Sequence, residues 1–123
     1  DFTAKPNCVC YLNSELEKPV SFTFDVQNIK FEPPNIEGLS YTNTYFRILM
    51  NNAKWIVRLY EKDSDTILAE RELEYTIDTL DYTFTLPENT KKDYEIKLIC
   101  NLNGTEYEIG NENIIIERQQ YCH

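Results

Sequence analysis

Residues 93–109 read DYEIKLICNLNGTEYEI, and this stretch decides the fold. Tyr94, Ile96, Leu98, Cys100 and Leu102 fall on every second position, with Asp93, Glu95, Lys97 and Asn101 between them and Ile99 breaking the polar side. A period of two is the mark of a strand with one buried face, because successive side chains point to opposite sides of a sheet. Asn103-Gly104 follows. Both residues tolerate the positive φ of a type I′ turn, so a long half-buried strand is expected to turn back here as a hairpin.

Outward from the hairpin the same signal recurs. Val20, Phe22, Phe24 and Val26 alternate with polar residues, as do Leu80, Tyr82, Phe84 and Leu86, the last followed by Pro87. Trp55, Val57 and Leu59 alternate with Ile56, Arg58 and Tyr60, and 45–50 is read as a strand with Phe46, Ile48 and Met50 on one face. Residues 67–77 are ambiguous between strand and helix; Ile67, Ala69, Leu73, Tyr75 and Ile77 favour a strand. Cys8 to Leu12 forms a short edge strand between Pro6 and Pro19, with the rest of the first 19 residues irregular. Residues 31–38, with Pro33 and Pro34, are a connection. Gly110-Asn111 interrupts the return arm before Ile114-Ile115-Ile116, as a bulge or as a crossing point between sheets. Eight or nine strands without a confident helix predict an all-β, antiparallel β-sandwich in one domain spanning 1–123. Its core is expected to hold Phe22, Phe24, Trp55, Val57, Leu59, Tyr82, Phe84, Tyr94, Ile96 and Leu98.

Two segments carry a family resemblance. Leu86-Pro87-Glu88-Asn89-Thr90, followed after two lysines by Asp93-Tyr94-Glu95-Ile96-Lys97-Leu98, resembles the loop and sixth strand of fibronectin type III domains. Trp55-Ile56-Val57-Arg58-Leu59-Tyr60 is similar to the third strand of immunoglobulin domains, where a Trp packs in the core. The later strands are also similar, more weakly, to fungal cell-wall Knh-like domains. The resemblance implies an immunoglobulin-like or fibronectin-like fold, binding or adhesion, and no catalytic residue. The chain departs from both patterns: it lacks an early Trp, and no cysteine lies between Cys10 and Cys100 to bridge around Trp55.

Twelve basic against 21 acidic residues leave a formal charge of −9, with no basic cluster, which disfavours a nucleic-acid or anionic-membrane partner. No apolar run approaches the roughly 20 residues of a membrane-spanning helix, so no transmembrane segment is expected. The start at Asp1, without initiator Met or signal peptide, suggests a mature secreted chain or a domain of a larger one. Asn103-Gly104-Thr105 is an N-glycosylation sequon on an exposed turn, in keeping with secretion.

The four cysteines, Cys8, Cys10, Cys100 and Cys122, lack the spacing of a zinc site or a redox Cys-x-x-Cys. They predict two disulfides in an oxidising compartment. Cys8 and Cys10 are too close in sequence to bond with relaxed geometry. That leaves Cys8–Cys122 with Cys10–Cys100, or Cys8–Cys100 with Cys10–Cys122; we favour the first.

No catalytic constellation stands out. The one histidine, His123, ends the chain, and the carboxylates Glu70, Glu72, Glu74, Asp78 and Asp81 read as a solvated face. Asp63-Ser64-Asp65 lacks the glycine and glutamate of a calcium loop and reads as a turn. No metal, cofactor or glycine-rich phosphate loop is expected. The candidate binding surface is the outward face of the central sheet: Ile56, Arg58, Tyr60, Lys97, Ile99 and Tyr107, a mix of aliphatic, aromatic and Arg side chains of the kind interfaces enrich. Such a patch predicts that Arg58→Glu and Tyr60→Ala leave stability nearly unchanged. The expected function is an extracellular protein-binding or adhesion module, acting through that face or the hairpin loops. The alternative is a carbohydrate-binding module using Tyr41, Tyr45, Tyr60 or Tyr107, so the partner is another protein or a surface glycan.

Overall fold

The computed structural model describes residues 2–14, 19–34, 36, 38, 42–76 and 78–122. Among the described residues, eight strands and one helix follow in the order β1 (Thr3–Lys5), β2 (Cys8–Leu12), β3 (Val20–Gln27), α1 (Thr44–Asn51), β4 (Lys54–Glu61), β5 (Ile67–Glu72), β6 (Asp78–Phe84), β7 (Thr90–Leu102) and β8 (Thr105–Gln119). A three-stranded sheet has the order β1-β3-β6, and a five-stranded one, curled into a half-barrel, the order β2-β8-β7-β4-β5. The described residues are all-β apart from one short helix.

The small sheet follows the binary pattern closely. Phe24, Val26, Leu80 and Phe84 are buried on its inner side. On its outer side Ser21 bonds Thr83 at 2.7 Å and the Thr23 hydroxyl donates to Asp81 at 2.6 Å. Phe22 and Tyr82, expected in the core, are only partly buried at its margin. Opposite lie Trp55, Val57 and Leu59 of β4, Tyr94, Ile96, Leu98 and Cys100 of β7, and Ile114 and Ile116 of β8, all buried. Phe84 is the hub between the layers, with ring centroids 4.9 Å from Tyr94, 5.7 Å from Phe22 and 6.0 Å from Phe24. Offset and edge-on aromatic packing at these spacings adds to the area buried.

The central hairpin forms as its sequence requires. Asn103 and Gly104 have φ of 51° and 92°, and Leu102 pairs with Thr105 across the two-residue turn. The bulge also forms: Leu98 pairs with Gly110 and Ile99 with Glu108, so Ile109 is the extra residue. Phe2 packs on Gly110, where a Cβ would stand 2.9 Å from the Cβ of Phe2.

Five expectations are corrected. Residues 45–50 are helix, since a run of apolar residues this short fits either period. The Asn43 side chain accepts from the Phe46 amide at 3.1 Å as an N-cap, and Phe46, Leu49 and Met50 turn inward at helical spacing while Ile48 is 54% exposed. The strand assigned to 67–77 ends at Glu72, beyond which the buried Leu73 carries the chain towards the other sheet; Ile77 lies outside the described residues. The ladder is not wholly antiparallel, because β2 pairs parallel to β8, with Cys8 beside Ile115 and Cys10 beside Glu117. The first residues also hold a strand, β1, joined to β2 through a cis Lys5–Pro6 bond.

The favoured disulfide pairing is the fifth. Cys10 bonds Cys122, while Cys8 is an exposed thiol and Cys100 a buried one. Cys100 sits opposite Tyr107, whereas β2 runs beside β8 from Ile115 onwards. Those positions are eight residues apart, about 26 Å along a strand, far beyond the roughly 7 Å that a disulfide can span.

Candidate functional site

The sheet face anticipated as a binding patch carries an ion-pair layer. Arg58 is only 8% exposed. Its Nη1 and Nη2 donate to the two carboxylate oxygens of Glu106 at 2.7 and 2.6 Å, and its Nε donates to Glu70 at 2.8 Å. The strand register explains the geometry. Ile56, Ile99 and Glu108 share one row across β4, β7 and β8, while Arg58 lies in the next row one way and Glu106 in the next row the other way. The Arg58–Glu106 bridge therefore passes diagonally over Ile99, which is 6% exposed although it is on the outer face. Lys97 completes the layer, 2.9 Å from Glu108 and 5.1 Å above the Tyr60 ring.

The electrostatics agree. Hydrogen bonding to Arg58 holds the Glu106 carboxyl below its ordinary range, and the bond to Glu108 raises the Lys97 ammonium. Bidentate Arg–carboxylate pairing is strong and directional. Arg58, Tyr60 and Ile99 are thus buried, Ile56 and Lys97 half-buried, and none offers the free Arg or aromatic anchor expected of a hot spot. Tyr107 is not on this face. It pairs with Cys100 and packs half-buried on the core side, because the two-residue turn leaves no freedom in register.

The carboxylates considered for acid–base work are engaged or scattered. Glu70 is held by Arg58, Asp78 by Arg71 at 3.2 Å, and Asp81 by Thr23, whereas Glu72 and Glu74 are exposed. Asp63, with φ of 61°, and Ser64, whose Oγ accepts from the Thr66 amide at 3.1 Å, form the β4–β5 turn. Among the described residues no His, Cys, Asp and Glu cluster has the makings of a metal site. Burial pushes the Cys100 thiol up to about 11, which leaves it protonated and unreactive at neutral pH. His123 and Tyr41 lie outside the described residues.

A surface the pattern did not announce lies at the pole where α1 meets the β7–β8 turn. Tyr45, Ile48 and Asn52 fall at i, i+3 and i+7 and, with Asn101, Asn103 and Gly104 of the turn, line a groove of about 560 Å³ that Lys54 also lines. Tyr45 is 60% and Ile48 54% exposed. The two walls are each tied internally: the Asn52 amide donates to the Ile48 carbonyl at 2.9 Å, and the Gly104 amide donates to Asn101 Oδ1 at 2.9 Å. Residues 38–60 hold no Asp or Glu and three cations, in a chain of net charge −9. The signal that could have located the groove is the Asn43 cap: with it, Tyr45 and Ile48 read as the outer face of a helix.

No protein-family model matches the chain. It is similar to an uncharacterised protein of Methanocaldococcus jannaschii, 30% identical over 124 residues. The match takes in 99% of this chain, and the chain spans 13% of the length of that relative.

Proposed function

We propose that this chain is a non-catalytic, extracellular recognition module with an immunoglobulin-type sandwich, which binds another protein through the groove between α1 and the β7–β8 turn. The strand order supports the fold reading. In immunoglobulin lettering, β3 and β6 take the places of B and E, β4, β5, β7 and β8 those of C, C′, F and G, and β1 and β2 divide strand A between the sheets. Trp55 on β4 stands where that fold buries a Trp, with the Phe31 ring 5.2 Å from it. The Cys10–Cys122 bond supports an oxidising compartment. No helix among the described residues is long and apolar enough to cross a membrane.

One observation carries the binding reading: two large apolar side chains of one helix face, Tyr45 and Ile48, stand exposed over a concave, acid-free surface. Aromatic anchors set in concave surfaces dominate protein interfaces. Lys54 beside them on an otherwise acidic molecule suits a partner segment with an apolar side chain flanked by carboxylates. The second reading, a carbohydrate ligand, is favoured by the position of Tyr45 beside the Asn52 and Asn103 amides.

The test is capture of partners from the native extracellular milieu by the wild-type chain, Tyr45→Ala and Lys54→Glu, each checked for an unchanged melt. Loss of the same captured protein in both variants supports the reading, since truncating a hot-spot aromatic costs about 2 kcal/mol or more. Equal capture by all three removes the groove from consideration. Binding to immobilised glycans that is lost only with Tyr45→Ala replaces it with the carbohydrate reading.

A further inference from the structure

The Asn103-Gly104-Thr105 sequon and the exposed face of α1 are far apart in sequence but form opposite walls of one groove. Asn103 is exposed, at φ of 51°, and among the described residues its side-chain amide holds no hydrogen bond. The Thr105 hydroxyl sits two residues on, exposed at the start of β8. The opposite wall presents Tyr45 and Ile48, both more than half exposed and adjacent on one helix face. A sugar leaving Asn103 starts inside the groove, and a pyranose ring offers a C–H face that an aromatic ring can cover.

We propose that Asn103 carries an N-linked glycan whose first sugars lie in this groove, against Tyr45 and Ile48. The co-reactant is an oligosaccharide linked through phosphate to a polyprenyl lipid. The Asn103 Nδ2 gives one proton to a base of the glycosylating enzyme and bonds to the anomeric carbon. The bond from that carbon to the phosphate oxygen breaks, and the lipid phosphate leaves with the electron pair. Neither side is oxidised. The groove, about 560 Å³, falls in the size range of pockets that enclose a small ligand, which suits a short oligosaccharide core. The glycan accounts for an apolar helix face that no other part of the described chain covers. It also regulates the surface proposed above: glycosylated molecules withhold the groove from a partner, and unmodified ones offer it. This last step rests on the binding reading, whereas the seating of the glycan does not.

The experiment is secretion of the chain from a glycosylating host as wild type, Asn103→Gln and Thr105→Ala, with intact mass and tyrosine nitration by tetranitromethane mapped by peptide. Tyr75 and Tyr121, 69% and 75% exposed, are the internal references. The expected result is a glycan mass on the wild type that both variants lack, with nitration of Tyr45 lost in the glycosylated protein and regained in both variants while Tyr75 and Tyr121 react throughout. A wild type without glycan mass overturns the modification. A glycosylated wild type in which Tyr45 reacts as readily as Tyr75 overturns the seating. Neither outcome bears on partner binding by unglycosylated Asn103→Gln protein, so the two ideas fail separately.

Discussion

Reversing the charge of Arg58 separates a surface patch from a structural layer. A solvated patch predicts almost no change in stability on Arg58→Glu. The structure predicts a large loss. Arg58 is 8% exposed and makes charge-assisted bonds to Glu106 at 2.7 and 2.6 Å and to Glu70 at 2.8 Å. Hydrogen bonds to charged groups contribute about 1.5–3 kcal/mol each. The side chains of Glu70 and Glu106 are 52% and 39% exposed, so water recovers part of that when the Arg is gone.

A net loss of about 3–4 kcal/mol follows for Arg58→Glu, with the new carboxylate placed between two others. Arg58→Met, which keeps the aliphatic stem over Ile99, should cost about 1–2 kcal/mol. At a few degrees per kcal/mol for a chain of this length, the Glu variant should melt roughly 10–15 °C lower. The assay is thermal and urea unfolding of both variants, with Glu106→Gln added to close a double-mutant cycle.

The pH dependence has a definite sign. The carboxyl of Glu106 is held below its ordinary value of 4.5, so its share of the stability is present above that value and is lost as pH falls through the lower folded one. The Arg58–Glu106 coupling should therefore be full at pH 7 and vanish in strong acid. A melt of Arg58→Glu within about 2 °C of wild type, corresponding to well under 1 kcal/mol, would refute the reasoning.

The remaining predictions concern the core, the cysteines and the helix cap. Trp55→Ala should cost about 3–5 kcal/mol, and wild-type fluorescence should be blue-shifted and poorly quenched; a readily quenched Trp55 contradicts its buried place in β4. Non-reducing peptide maps should show Cys10 joined to Cys122. A thiol reagent should label Cys8 in the native protein and Cys100 only after unfolding. Cys10→Ser should cost about 4–5 kcal/mol from the entropy of a long closed loop, while Cys8→Ser should stay within about 0.5 kcal/mol of wild type. Asn43→Ala should cost about 1 kcal/mol and raise amide exchange in α1 ahead of the sheets, since it removes the cap that holds the Phe46 amide.

Much of the fold was legible in local pattern. A two-residue side-chain period and an Asn-Gly turn are properties of the chain itself, so the hairpin at Asn103, the bulge beside Gly110, the strands through Phe24, Trp55 and Phe84, and the inward aspect of Ile96 and Leu98 could be read without coordinates. The place of Tyr107 was in principle legible too: a two-residue turn forces it opposite Cys100. What resisted was whatever depends on which elements meet. Alternation separates the two faces of a strand, but it does not say whether an outward face is wet. Only the pairing order, with β7 between β4 and β8, brings Arg58 and Glu106 across Ile99 and gives the expected patch an ion-pair layer. Cysteine pairing likewise depends on β2 lying along the far end of β8, some 26 Å from Cys100. The five apolar residues within 45–50 fit either period. Capping by Asn43 and burial of Phe46 made them a helix, and that helix supplied one wall of the groove whose other wall is the hairpin turn.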